Sequence, residues 1–155
     1  MRVRKATKKD LKTIIELSDQ LVLEHDKRFP AYPKLAKDIH SPKVRYFRNL
    51  FSKRNSGFFV AIENEEIVGF VMGFEKKDPP LFAETKIGAV GDFYVQPEFR
   101  SKGVGHKLFA ELKKWFRKKG FKTLEIGFHS RNTKARRLYE ELGFRPHKEL
   151  WRIRI

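Results

Sequence analysis

The stretch VQPEFRSKGVGHKL, Val95 to Leu108, decides how this chain folds. Before it, Lys86 to Val95 reads as a central strand of β-branched, aromatic and small residues, with Gly88 and Gly91 inside it. Glycine weakens a strand interior, so each of these marks a bulge or a close approach by another backbone or a ligand. Pro97 ends the strand. After it, Gly105 to Lys119 is amphipathic, with Leu108, Leu112, Trp115 and Phe116 on one stripe and Lys113, Lys114, Lys118 and Lys119 on the other, closed by Gly120. A further strand, Lys122 to Phe128, follows at once. Strand, loop, helix and strand in that order form a crossover unit with parallel strands, so the class is α/β.

Towards the N-terminus, Gly57 to Glu63 and Ile67 to Glu75 read as a hairpin turned at Asn64, Glu65 and Glu66. Arg2 to Ala6 alternates like a short strand, and Thr7 with Asp10 forms a capping-box start for a helix through Leu11, Ile14, Ile15 and Leu21. Pro30 and Pro33 break the chain; Ser41 as N-cap and Pro42 at the first helical position then open a helix towards Lys53. Lys76 to Ala83, with Pro79 and Pro80, is a loop. Towards the C-terminus, a helix from Thr133 to Leu142 stops at Gly143, and Glu149 to Ile155 is expected to be a terminal strand. No repeat or low-complexity tract interrupts this order, and one domain over residues 1–155 is expected, since two halves would each be near the lower limit for a stable core.

The segment joining strand to helix carries the chemistry. A helix N-terminus presents unpaired N–H groups and partial positive charge, so a glycine-rich turn there suits a diphosphate wrapped by amides. Arg100 and Lys102 add formal charge, and Gly103 and Gly105 let a phosphate approach the backbone. As a bare pattern, Arg, two residues, Gly, one residue and Gly is weak; its position between a strand and a helix makes it specific. The bland alternative is a turn whose glycines only start the helix.

A second block follows in RNTKARRLYEELGF (131–144), with Asn132, Ala135, Leu138, Tyr139, Glu140, Leu142, Gly143 and Phe144. The first block resembles the coenzyme A signature of the GNAT superfamily of N-acetyltransferases, an Arg or Gln, two residues, Gly, one residue, and Gly or Ala, and Val95 and Pro97 before it fit as well. The second block and the order of elements over nearly the whole chain resemble the same family, with Asp26 to Leu50 the least typical region. The resemblance implies a mixed, mostly antiparallel central sheet with a parallel pair at the cofactor cleft and helices on both faces.

It further implies an acetyltransferase that uses acetyl-CoA as co-substrate to acetylate an amine. Residues Arg100, Ser101, Lys102, Gly103, Val104, Gly105 and the amide of His106 would hold the pyrophosphate. Backbone groups of Phe93, Tyr94 and Val95 would bond the pantetheine like an added strand, and the same strand end would offer an oxyanion donor, with Gly91 placing a bulge there. Asn132 would lie near the pantetheine arm and Tyr139 near the sulfur, where a phenol can protonate the leaving thiolate; the alternatives are a helix cap and a core aromatic. An attacking amine arrives mostly as ammonium, so a base is needed. Asp92, Glu84 and Glu125 are the candidates and Asp92 is favoured, its alternative being structural pairing with a cation. The chain has no cysteine, so an acyl-cysteine relay is excluded and direct transfer is left.

Hydrophobic residues at 40% and aromatics at 14% suffice for a core, so wholesale disorder is not expected. No apolar run is long enough for a membrane span and the N-terminus is basic and polar, which points to a soluble, cytoplasmic protein. Abundant Lys, Arg and Glu with little Cys and Met resembles a thermophilic composition. None of His25, His40, His106, His129 and His147 has metal-ligand spacing, so no metal is expected; His129, at a strand end facing the cleft, is a substrate contact or a structural histidine. The net charge of +16 attracts polyanions. Two competing functions follow. One is a basic RNA-binding protein using Tyr46, Phe47 and Phe51 beside Arg45, Arg48 and Arg54, against which stands a helix whose Val44, Phe47, Leu50 and Phe51 form a core face. The other is a catalytically silent CoA-binding sensor. The amine acceptor is undetermined by the residues, and a homodimer is compatible with them.

Overall fold

The computed structural model describes residues 1–29, 34–81 and 86–153. Among these, one sheet carries the strands β1 (Arg2–Lys5), β2 (Ser56–Glu63), β3 (Glu66–Lys77), β4 (Lys86–Val95) and β5 (Thr123–Ile126) in that spatial order. All neighbours are antiparallel except β4 and β5, which are parallel. Helices α1 (Leu11–Arg28) and α2 (His40–Ser52) cover one face; α3 (Val104–Lys118) covers the other, with α4 (Thr133–Glu141) beyond it. The α/β class, the parallel pair and the two-faced helical cover are those expected.

Strand alternation divides the core in two. Phe58 and Val60 of β2 join Phe70 and Met72 of β3 under α1 and α2, while Phe59, Ala61, Val68 and Val71 point to Leu108, Leu112 and Phe116 of α3. Burial on both faces is why β2 reads as a nearly unbroken apolar run rather than an alternating one. Gly73 and Gly88 make room for one ring: a Cβ on Gly73 would stand 2.6 Å from Cε2 of Phe116, and one on Gly88 2.8 Å from its Cε1 and 2.5 Å from Cδ2 of Leu124. The close approach read from Gly88 is therefore the packing of α3 and β5. Burying a ring of this size contributes about 2–3 kcal/mol.

Thr7 and Asp10 form the expected capping box, opening a single 3-10 turn that leads into α1, and Arg4 closes on Asp10 at 2.7 and 2.9 Å. The hydrogen bonds from the Arg4 guanidinium hold the Asp10 carboxyl far below its usual range despite partial burial. The hairpin turn uses Asn64 and Glu65 with φ of 47° and 67°, the two positive angles that a tight two-residue connection needs.

Three expectations are corrected or fall outside. The second helix begins at His40, two residues before the expected first helical position, because the carboxylate of Asp38 accepts from the amides of His40 and Ser41 at 3.0 Å each and takes the capping role assigned to Ser41. The terminal strand is absent over residues 149–153, where Leu150, Trp151 and Ile153 are each 85% exposed. β-propensity builds a strand only against a neighbour's backbone groups, and this run pairs with no described strand. Pro30, Pro33 and Glu84 lie outside the described residues. The core face expected for α2 is present: Phe47 and Leu50 are buried, Val44 and Phe51 pack against the core, and Tyr46 stands half exposed. No helix among the described residues is long and apolar enough to cross a membrane.

Candidate active site

β4 and β5 pair from Ile87 and Thr123 to Val90 and Ile126, and there the ladder stops. β4 runs on to Val95 with, among the described strands, only β3 beside it, so its other edge is left without a strand from Gly91 to Val95. A bulge begins at that point. Val71 faces Phe93 and Gly73 faces Val90, so Gly91 and Asp92 together oppose the single residue Met72. Glycine is required there because a Cβ on Gly91 would lie 2.7 Å from Cε of Met72. The bulge also exchanges the faces of the strand: Val90 belongs to the α3 side, whereas Tyr94 belongs to the α1 and α2 side.

At the open end of β4 the chain turns through Pro97–Phe99 and Ser101, whose φ is 60°, to Gly103 with φ of 75°. Gly103 is the N-cap of α3, and a Cβ there would meet nothing within 4 Å; its conformation, not crowding, calls for glycine. Gly105 sits over Phe93, where a Cβ would be 3.5 Å from Cζ. The first bond of the helix runs from Lys107 N to Gly103 O at 3.1 Å, so the amides of Val104, Gly105 and His106 have no acceptor within it. Arg100 turns its side chain elsewhere than towards this turn. Its Nε donates to the Val95 carbonyl at 2.8 Å, its Nη2 to Glu24 of α1 at 2.8 Å, and it lies over the Tyr94 ring. Tyr94 OH also donates to Glu24. Burial pushes the Glu24 carboxyl up, but the bonds from Tyr94 and Arg100 outweigh it and hold the group below its usual range. Lys102 extends over Phe99.

Of the expected carboxylates, Asp92 is partly buried at the bulge of β4 and accepts a hydrogen bond from Ser18 Oγ of α1. Burial raises its pKa; Ser18 and Lys43 pull it down less strongly, and Asp19 adds to the rise. Glu125 is instead held by Lys76 at 2.7 Å, which keeps its carboxyl below the usual range. Tyr139 of α4 lies among Phe93, Phe128 and Phe144, with ring centroids at 6.4, 5.1 and 6.0 Å, and burial pushes its phenol up to about 12. Asn132 is the N-cap of α4, its side chain accepting from Ala135 N at 3.2 Å. His129 stacks on Phe29 at 4.9 Å, interplanar angle 10°, with His25 edge-on at 5.6 Å, so α1 and the chain after β5 meet through rings. Among the described residues no three metal-ligating side chains cluster.

Ser18, Glu24 and the ion pair of Asp19 with Lys43 at 2.8 Å escape a reading of the residues alone. One signal was available for Ser18: it stands at helical spacing from Ile14, Ile15 and Leu21, a polar residue on the apolar stripe of α1. Nothing local distinguishes Glu24 or Lys43 from other charges on an exposed helix.

The order of strands and helices, with its one parallel pair among the described strands, is that of solved acetyltransferases. The model of the Acetyltransferase (GNAT) family matches residues 20–144, and the chain belongs to that family. Its enzyme class is N-acetyltransferase. An uncharacterized N-acetyltransferase of Archaeoglobus fulgidus is 29% identical over 94% of this chain and 93% of its own length. Another from Bacillus subtilis is 26% identical over 93% of this chain and 89% of its own. Among solved structures, a predicted acetyltransferase with acetyl-CoA from Clostridium acetobutylicum superposes with a TM-score of 0.81 at 19% identity, covering 99% of this chain and 95% of that one.

Proposed function

We propose that this N-acetyltransferase moves the acetyl group of acetyl-CoA directly onto a primary amine, on a small molecule or at a protein N-terminus or lysine. The observation that carries this is the edge of β4 left without a strand beyond its ladder with β5, beside the amides at the start of α3 that have no acceptor within the helix. Those amides, with the turn from Arg100 to His106, fit a pyrophosphate, and the edge of β4 at Phe93, Tyr94 and Val95 suits the pantetheine as an extra strand, although Arg100 already holds the Val95 carbonyl. The Clostridium acetobutylicum neighbour, solved with acetyl-CoA, supports the donor. Because the Arg100 guanidinium is engaged by Glu24 and Val95, its turn would contribute mainly backbone amides. Asn132 has its side-chain oxygen committed to the cap, leaving its amide nitrogen for the cofactor arm.

In the reaction Asp92 takes a proton from the ammonium and the freed amine nitrogen attacks the thioester carbonyl. The C–S bond breaks with Tyr139 giving its O–H proton to the sulfur, and the proton left on the acylated nitrogen returns through solvent to the Tyr139 oxygen. Charge on the carbonyl oxygen would be met by an amide at the β4 bulge. With no cysteine in the chain, no acyl-cysteine intermediate is available. A phenol pushed up to about 12 stays protonated through the working range and so remains a donor. A thiolate is a tolerable leaving group, with a reference pKa of about 8.5. Replacing Tyr139 with Phe should therefore lower kcat about tenfold without abolishing it and leave KM for acetyl-CoA unchanged. Steady-state rates at saturating amine decide this, and full activity in Tyr139→Phe removes the acid role.

Calorimetric titration with acetyl-CoA and desulfo-CoA tests the function as a whole. Both should bind at one site; if neither does, the donor assignment is wrong.

A further inference from the structure

We propose that Ser18 is a positioning residue for the acceptor side of the reaction, its hydroxyl holding one oxygen of Asp92 so that the other is left to take the amine proton. This rests on Asp92 being the base. Ser18 lies in the middle of α1, fully buried, with Ile14, Ile15 and Leu17 buried around it. A hydroxyl in such a place is unfavourable unless it is bonded, and the local option, donation to the carbonyl one turn back in the helix, is not taken. Instead the bond crosses 74 residues of sequence to Asp92 on the bulge of β4. It engages Oδ2; Oδ1 bonds to none of the described residues.

The charges that face Asp92 come from α1 and α2. Asp19 follows Ser18 and is paired with Lys43 at 2.8 Å and with His40 at 2.5 Å, and Tyr46 of α2 stands within the field of Asp92. From β3 the bulge is met by Met72 and Phe74, which carry no charge. With Lys43 occupied by Asp19, Ser18 is the direct hydrogen-bond donor to the carboxylate. A hydroxyl donating to the charged form favours that form, so Ser18 counteracts the burial that would keep Asp92 protonated.

The test is the pH profile of kcat/KM for Ser18→Ala, Asp92→Asn and the double variant. Ser18→Ala should move the acid limb to higher pH and lower the rate on that limb by roughly three- to tenfold, with KM for acetyl-CoA unchanged. In the Asp92→Asn background the same substitution should have no further effect on rate, because its only route is through Asp92. An acid limb unmoved by Ser18→Ala, in a protein that Asp92→Asn slows, overturns the role of Ser18 alone. A wild-type rate and profile in Asp92→Asn overturns both the base and its positioning residue. Additive losses in the double variant assign Ser18 a purely structural part and overturn the proposal as well.

Discussion

Asp92→Asn should lower kcat/KM by about 100-fold or more at neutral pH, the size of effect that deleting a general base produces. The substitution is nearly isosteric, and an amide oxygen can still accept from Ser18, so the fold should survive it. What disappears is a group able to take a proton from an incoming ammonium. Because burial dominates the environment of Asp92 and raises its pKa, wild-type activity should fall on the acid side as the carboxylate protonates, and Asp92→Asn should lose that limb. The deficit should also shrink towards alkaline pH. A Lys-like amine with a reference pKa of about 10.4 deprotonates itself there and needs the base less. Rates measured from about pH 4 to 10 with one saturating amine give both signs; equal rates of wild type and variant across that range would make Asp92 a structural carboxylate. Glu125→Gln is the companion control. Its carboxylate is already neutralised by Lys76, so the loss should be small and the acid limb should stay.

Gly103→Glu should weaken acetyl-CoA by at least about 100-fold, or about 2.7 kcal/mol, while leaving the protein folded. Two separate effects act at this residue. The left-handed backbone at φ 75° penalises any side chain by about 1–2 kcal/mol. Space is not the obstacle, since a Cβ there meets nothing within 4 Å, so the core is untouched and the thermal midpoint should fall by only a few degrees. The second effect is electrostatic. A carboxylate at the start of α3 sits where the unpaired amides and the helix dipole would draw the diphosphate, and two like charges brought together there oppose binding. Gly103→Ala carries the first effect without the second and should retain most of the affinity. Calorimetry on the three proteins separates the terms. Unchanged affinity in Gly103→Glu would move the phosphate site away from this helix end.

Much of the molecule is determined by local sequence. The two helical stripes, the hairpin around Asn64 and Glu65, the capping box of Thr7 and Asp10, the parallel crossover and the phosphate-turn pattern all depend on periodicity or on residues close together in the chain, and these are legible one segment at a time. Even Gly88 and Gly91 announce that something must come close to β4. What comes close is decided elsewhere: the ring of Phe116 in one case, Met72 across a register shift in the other. The same division separates the site residues. Gly103 and Tyr139 stand out in the sequence because each belongs to a contiguous block. Ser18 and Glu24 acquire their roles only when α1 is laid across the end of β4, where they meet Asp92, Tyr94 and Arg100. The terminal run around Trp151 makes the complementary point: its residues suit a strand, but a strand is a property of two chain segments, and no described neighbour supplies the second. Local conformational preference is written within a few residues. A hydrogen bond between distant residues needs the packed sheet and helices that bring them within 3 Å or so of each other.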